Sequence, residues 1–171
     1  KFLCDKGHKK IAVLAAGKSD QSISKLRIEG YRNALKSKGI DINEKLIRHT
    51  KNNENIQVIE NGYKLMNELL ESGEEFTAVY SISDSMAIGA CKAILDSGKR
   101  IPQDYSVVGF DGLDITYYYN PSITTIRQPV EAMARETTKI LFDLINNKAT
   151  NQHKVFEAEL VERESTLKLS K

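Results

Sequence analysis

The chain has 171 residues, with 25 Lys and Arg against 23 Asp and Glu for a net charge of +2, and two cysteines. That length makes one domain whose core needs no staples, and the balanced charge offers no nucleic-acid surface of its own. Cys4 and Cys91 lie far apart in a chain with no signal-like stretch, which fits reduced thiols better than a disulfide framework, and the longest apolar runs fall far short of a membrane span. The expectation is a soluble, cytoplasmic domain that contacts no membrane.

Residues 10–16 (KIAVLAA) read as a buried strand, and Gly17 to Asp20 as a turn that opens a helix. Over 22–38, Ile23, Leu26, Gly30, Ala34 and Leu35 recur on one helical face, and Gly39 followed by Ile40 supplies a left-handed stop with its hydrophobic contact. Leu46 and Ile47 form a short second strand. The polar loop 50–55 leads into a helix bearing Val58, Ile59, Gly62, Leu65, Met66 and Leu69, stopped near Gly73.

Residues 76–82 are a third strand, and Ser83 or Asp84 caps the next helix. Its Ala87, Ala90, Cys91 and Ile94 face inward and Gly98 ends it. Residues 105–110 are an apolar run without a polar face, bounded by Pro102 and the Asp111-Gly112 pair, which is the pattern of a fully buried parallel strand. Strands and helices alternating in this way predict an α/β fold, a doubly wound, mostly parallel sheet with right-handed crossovers and helices on both faces. After the short strand 123–126, Pro129 opens a helix whose Val130, Met133, Ala134, Thr137, Leu141, Leu144 and Ile145 form an apolar stripe. The stripe needs a partner, so helix 129–147 is expected either to dock on its own sheet or to pack against a second copy.

Asp111 ends a buried strand at the sheet edge where α/β proteins take their ligands, although Asp-Gly is equally a turn sequence. Arg27 by itself reads as a solvated arginine. The chain has no Gly-rich phosphate loop, metal-spaced His/Cys cluster or nucleophile elbow, and His8, His49 and His153 are scattered. Neither enzyme chemistry, a metal site nor a cofactor is expected, and His8 is expected to be structural.

Five stretches point further: GHKKIA at 7–12, LRIEGY at 26–31, SDSMAIGA at 83–90, IPQDYSVVGFD at 101–111 and ITTIRQP at 123–129. Together they resemble the signature of the lactose/galactose repressor family of bacterial transcription regulators, across the second half of such a protein. The resemblance implies a periplasmic-binding-protein-like lobe made of residues 1–128 and 148–171, with helix 129–147 belonging to the first lobe and a final strand at 154–161. In that strand Phe156, Ala158 and Leu160 would face inward and Glu157 and Glu159 outward.

It also implies a site. The Arg27 guanidinium would form paired hydrogen bonds with effector hydroxyls, and Asp111 would accept from neighbouring ones. Ser83 stands where the family usually has an asparagine that reaches the effector, and Gln21 at a loop position that sometimes touches it. Ile88, Tyr117 and Tyr119 fall in segments that contribute to a homodimer interface. The chain departs from many relatives in having no aromatic residue between Arg48 and Gly62 to stack on a sugar or base, and in carrying Val130 at a position that is often aromatic.

The function implied is the effector-binding and dimerisation portion of a sugar-responsive regulator, with operator DNA contacted only through an upstream helix-turn-helix headpiece. Closure of the cleft on effector would shift the dimer between DNA-binding states. The alternatives are a periplasmic sugar-binding protein of a transporter and a regulator lobe that answers to a protein co-regulator.

Overall fold

Ile11–Ala15 (β1), Ile47–His49 (β2), Ala78–Ser81 (β3), Ser106–Asp111 (β4), Thr124–Arg127 (β5) and Glu159–Val161 (β6) form one sheet in the order β2-β1-β3-β4-β5-β6. The computed structural model describes residues 1–17, 23–51, 58–148 and 153–169. β1 to β5 are parallel, and β6 returns antiparallel to β5. Ile23–Lys36 (α2) leads outward from β1 to β2. Ile59–Glu71 (α3) then carries the chain back past β1 to β3, and Asp84–Asp96 (α4) leads on to β4. The direction of winding therefore reverses beside β1, which in open α/β sheets marks the crevice where ligands bind.

Right-handed crossovers place α3 and α4 on one face and α2 on the other. The first face is tightly filled. Met66, Leu69, Ile82, Met86 and Ile94 have no exposed surface, and α3 and α4 approach through Gly62 and Gly89. A Cβ at Gly62 would lie 2.0 Å from the Met86 carbonyl oxygen, and one at Gly89 would lie 2.0 Å from that of Ile59. Gly109 of β4 likewise makes room for Asp84 and Ala87 of α4.

Helices lie on the second face too, as expected, but cover it only in part. α2 stands over β1 beside the short helix Phe2–Asp5 (α1), and between these helices and the sheet runs an apolar groove of about 670 Å³. Tyr80, Val108, Phe110, Ile126 and Leu160 form its floor, with Leu26, Gly30 and Ala34 on its α2 wall. Of the apolar stripe expected to bury α2, Leu26, Gly30 and Ala34 line the groove, with Leu26 68% exposed, and Leu35 is buried as expected. The buried face is Ser24, Ile28, Tyr31 and Leu35. Polar anchors explain this rotation: Tyr31 donates its hydroxyl to the Ile11 carbonyl at 2.9 Å, and the Ala16 amide donates to Ser24 Oγ at 3.3 Å. The foreseen stop at Gly39 is present, with φ 64° and the Ile40 amide bonded to the Leu35 carbonyl.

Two expectations about the last third also need correction. Val130–Ile145 (α6) does not dock on its own sheet: none of its residues is buried, and Val130, Leu141, Phe142 and Ile145 are all more than half exposed. Of the two courses expected for its apolar stripe, docking on the chain's own sheet is the one not taken. The final strand is shorter than 154–161, spanning Glu159–Val161, because only these residues pair with β5. Phe156 is half-buried, Ala158 is exposed, and Leu160 faces the groove. Beyond β6 the tail crosses the amino-terminal edge of the sheet. The Val107 amide donates to the Ser165 carbonyl at 2.8 Å, and the Leu167 amide to Ser106 Oγ at 2.9 Å. His8, 1% exposed, joins this tail to the residue before β3 through the Leu167 carbonyl at 3.0 Å and Thr77 Oγ1 at 2.9 Å.

Candidate functional site

The carboxyl ends of β3 and β4 and the inner side of α2 converge on Arg27 and Asp111. Their side chains keep 10% and 12% of their surface exposed, and Nη2 of Arg27 lies 3.4 Å from Oδ1 of Asp111. Arg27 also donates through Nη1 to the Ile82 carbonyl, and its Cζ lies over the Phe110 ring, 3.7 Å from the centroid. A carbonyl, a carboxylate and an aromatic face thus hold the guanidinium in place, with its fork of donors set beside a carboxylate acceptor. Such a pair suits a ligand bearing adjacent hydroxyl groups, which can accept from one and donate to the other.

The backbone at Asp111 is unusual. Its φ of 130° lies in a region that L side chains rarely adopt, and conformations of this kind persist where surrounding contacts enforce them. Those contacts come from both sides. Gln128 donates its Nε2 to Asp111 Oδ1 at 2.9 Å. The adjoining turn is held by Asp84, which is fully buried: its Oδ2 accepts from the Gly112 and Leu113 amides at 2.8 and 2.7 Å, and its Oδ1 from the Thr125 hydroxyl at 2.6 Å. Burial raises the Asp84 carboxyl above its ordinary range, and the bonds from Thr125, Leu113 and Gly112 oppose that rise. Asp84 is therefore a structural clamp that ties the start of α4 to the loop carrying Asp111.

Ser83, expected at the ligand, is fully buried in this conformation, and its Oγ caps α4 by accepting from the Met86 amide at 3.2 Å. A hydroxyl is short enough to fold back onto its own helix, as N-capping serines do. Gln21 lies outside the described residues. Tyr80, on the groove floor next to Arg27, escaped the reading of the sequence because it sits inside an apolar run; burial pushes its phenol up to about 12, so it stays protonated. His49 ends β2 with Nδ1 donating to the Ala16 carbonyl at 2.8 Å. Its position after a strand was the available signal.

The chain from residue 1 to residue 166 matches the model of the periplasmic binding protein-like domain. It belongs to that family. The transcriptional regulator MalR of Clostridium butyricum is 42% identical over 147 residues, covering 86% of this chain and 42% of that protein. A sugar-binding regulator of the lactose repressor family from Escherichia coli, solved with phosphate, superposes with a TM-score of 0.87 at 34% identity, over 98% of this chain and 58% of the other. A regulator of the same family from Enterococcus faecium, solved with bound ribose, gives 0.84 at 28% identity, over 99% and 60%. The domain is thus of the type found in lactose/galactose repressor-family regulators, and its relatives are transcription regulators. It spans under half the length of the curated relatives it matches.

Of the residues expected at a homodimer interface, Ile88 lies on α4, Tyr117 on the short helix Ile115–Tyr118 (α5) and Tyr119 directly after it. Tyr117 is 63% exposed, with Arg163 stacked 5.7 Å from its ring, whereas Tyr119 and Ile88 are half-buried against the core. Tyr118, at 78%, is more exposed than either. Among the described residues, no three His, Cys, Asp or Glu side chains gather as a metal site, and no helix is long and apolar enough to cross a membrane.

Proposed function

We propose that this domain binds a small polyhydroxylated effector, a sugar, between Arg27 and Asp111, as the effector-binding and dimerisation portion of a cytoplasmic, DNA-binding transcription regulator. The pairing of a guanidinium and a carboxylate at the carboxyl ends of the strands, with Asp111 held at φ 130°, carries this reading. The ribose in the Enterococcus faecium relative supports a sugar as the ligand class. Binding, not chemistry on the ligand, is the output. In this reading residues 1–128 and 148–171 form one wall of the cleft, and α6 reaches toward a second lobe supplied by sequence beyond these residues, as does the operator-binding headpiece. Closure of the two walls on effector would couple to DNA binding with ~1 to 3 kcal/mol, the usual range for such linkage.

A thermal-shift screen of the complete gene product against pentoses, hexoses, disaccharides, nucleobases and sugar phosphates tests the proposal. A ligand at about 100 times its dissociation constant adds ~2.7 kcal/mol of stability. A hit lost in both Arg27→Ala and Asp111→Ala places the effector between the two residues. A hit that survives both substitutions, or an empty panel, removes the sugar reading and leaves a protein co-regulator as the input.

A further inference from the structure

Gln128 stands where the candidate site meets the departure of α6. β4 and β5 run parallel with Asp111 opposite Arg127, so the residue after Arg127 comes to rest beside Asp111. It is bonded there twice, by its amide to the Asp111 carbonyl at 3.2 Å and by Nε2 to Asp111 Oδ1 at 2.9 Å. Its own carbonyl accepts from the Val130 amide at 2.9 Å, across Pro129 at φ −79° and ψ 63°. That geometry is an inverse γ-turn, the three-residue bend that redirects a chain at a strand end. One residue therefore joins the carboxylate of Asp111, its strained backbone and the first amide of α6. α6 has no buried residue, and this turn and the ion pair of Lys154 with Glu136 at 2.9 Å are among the contacts that set its heading.

We propose that Gln128 is a positioning residue that orients the Asp111 carboxylate and transmits its occupancy to the turn from which α6 departs. The proposal rests on the effector reading of the site above. An amide is the right group, because it donates to the carboxylate without adding charge, and the donation constrains which Asp111 oxygen is presented to a ligand. A ligand hydroxyl that donates to the carboxylate Gln128 holds in place draws on that bond, the Gln128 side chain adjusts, and the γ-turn that shares its backbone moves with it.

The test is amide hydrogen exchange at Val130 and Met133 in the complete gene product, without ligand, for the wild type, Gln128→Ala, Asp111→Ala and the double variant. The Met133 amide bonds to the Pro129 carbonyl at 3.0 Å and so reports the same turn. Loss of one charge-assisted bond predicts about tenfold faster exchange in each single variant. The double variant should be no faster than either, since both remove the same interaction. Additive effects, or an unchanged Asp111→Ala, overturn the proposal.

Gln128→Glu gives a readout that a merely structural side chain would not move. At neutral pH it sets a second carboxylate against Asp111 beside the Arg27 guanidinium and exchange is fast; as the pH falls and one of the two carboxylates takes up a proton, protection should return toward wild type. Gln128→Ala should show no such recovery, and a Gln128→Glu variant without recovery contradicts the proposal. Maltose, cellobiose and ribose serve as ligand probes, and any that binds should bind Gln128→Ala about tenfold more weakly, non-additively with Asp111→Ala. No binding by the wild type counts against the effector reading, while the exchange cycle judges Gln128 independently.

Discussion

On one face of the sheet α3 and α4 touch backbone to backbone, at positions where a single added methyl carbon would lie 2.0 Å from a carbonyl oxygen. On the other, α2 stands apart from β4, β5 and β6, and a groove of about 670 Å³ opens onto apolar side chains. The closed face fixes the sheet and, through Asp84, the loop that follows β4. The open face carries Arg27 on α2 and adjoins the strand ends that present Asp111. The closed face thus fixes the loop that carries Asp111, while Arg27 stands on the less packed face, so the candidate pair joins the two.

The largest effect that would break this contrast lies on the closed face. Gly62→Ala or Gly89→Ala forces backbone against backbone, where no side chain can swing aside, so each should destabilise the chain by about 3 kcal/mol or more. In a domain of this size that lowers the melting temperature by on the order of 10 °C. Thermal unfolding followed by circular dichroism measures it directly. Near-wild-type stability for either variant would mean that α3 and α4 are not in close contact in solution.

A second effect concerns how the amino-terminal edge of the sheet is fastened. There the tail is held by hydrogen bonds that pass through His8. Burial lowers the pKa of His8, partly opposed by its bond to the Leu167 carbonyl. The unfolded chain takes up that proton near pH 6.5 while the folded ring resists, so this contribution is fully present above about pH 6.5 and declines as the pH falls below it. The slope is at most about 1.4 kcal/mol per pH unit for one proton. Urea unfolding at pH 7.5, 6.0 and 5.0 should show a steeper loss in the wild type than in His8→Gln. Parallel curves would sink the assignment.

How much of this was legible in the sequence follows the same division. The strands, the inward positions of α4 and the stop at Gly39 could be read because apolar spacing and a left-handed glycine act locally. Asp111 could be read because it ends an apolar run. The rotation of α2 could not: Ser24 and Tyr31, bonded to the backbone around β1, turn the helix so that Leu26, Gly30 and Ala34 line the groove while Leu35 stays buried. Gln128 was hidden for a different reason, since its place beside Asp111 follows from the register of two parallel strands and not from any spacing along the chain. α6 shows a limit of another kind, because a stripe of apolar residues announces that a partner is needed without saying where it lies. The family resemblance pointed to Arg27 and Asp111, which the fold brings together, and the cap at Ser83 was one of the two, Ser83 or Asp84, that the sequence offered.

The smallest effect is the most informative about the groove. Leu26 is 68% exposed on the groove wall, while Leu69, on the closed face, has no exposed surface. Leu69→Ala should cost about 2 to 5 kcal/mol, the range for emptying a packed site. Leu26→Gln keeps helix propensity and removes no buried contact, so in the 171-residue chain it should stay within about 0.5 kcal/mol of wild type. Equilibrium unfolding at two protein concentrations separates the possibilities. A loss comparable to Leu69→Ala at both would mean that the chain itself fills the groove in solution. A loss that appears only at the higher concentration would assign the occupant to a second copy, because only association makes stability depend on concentration.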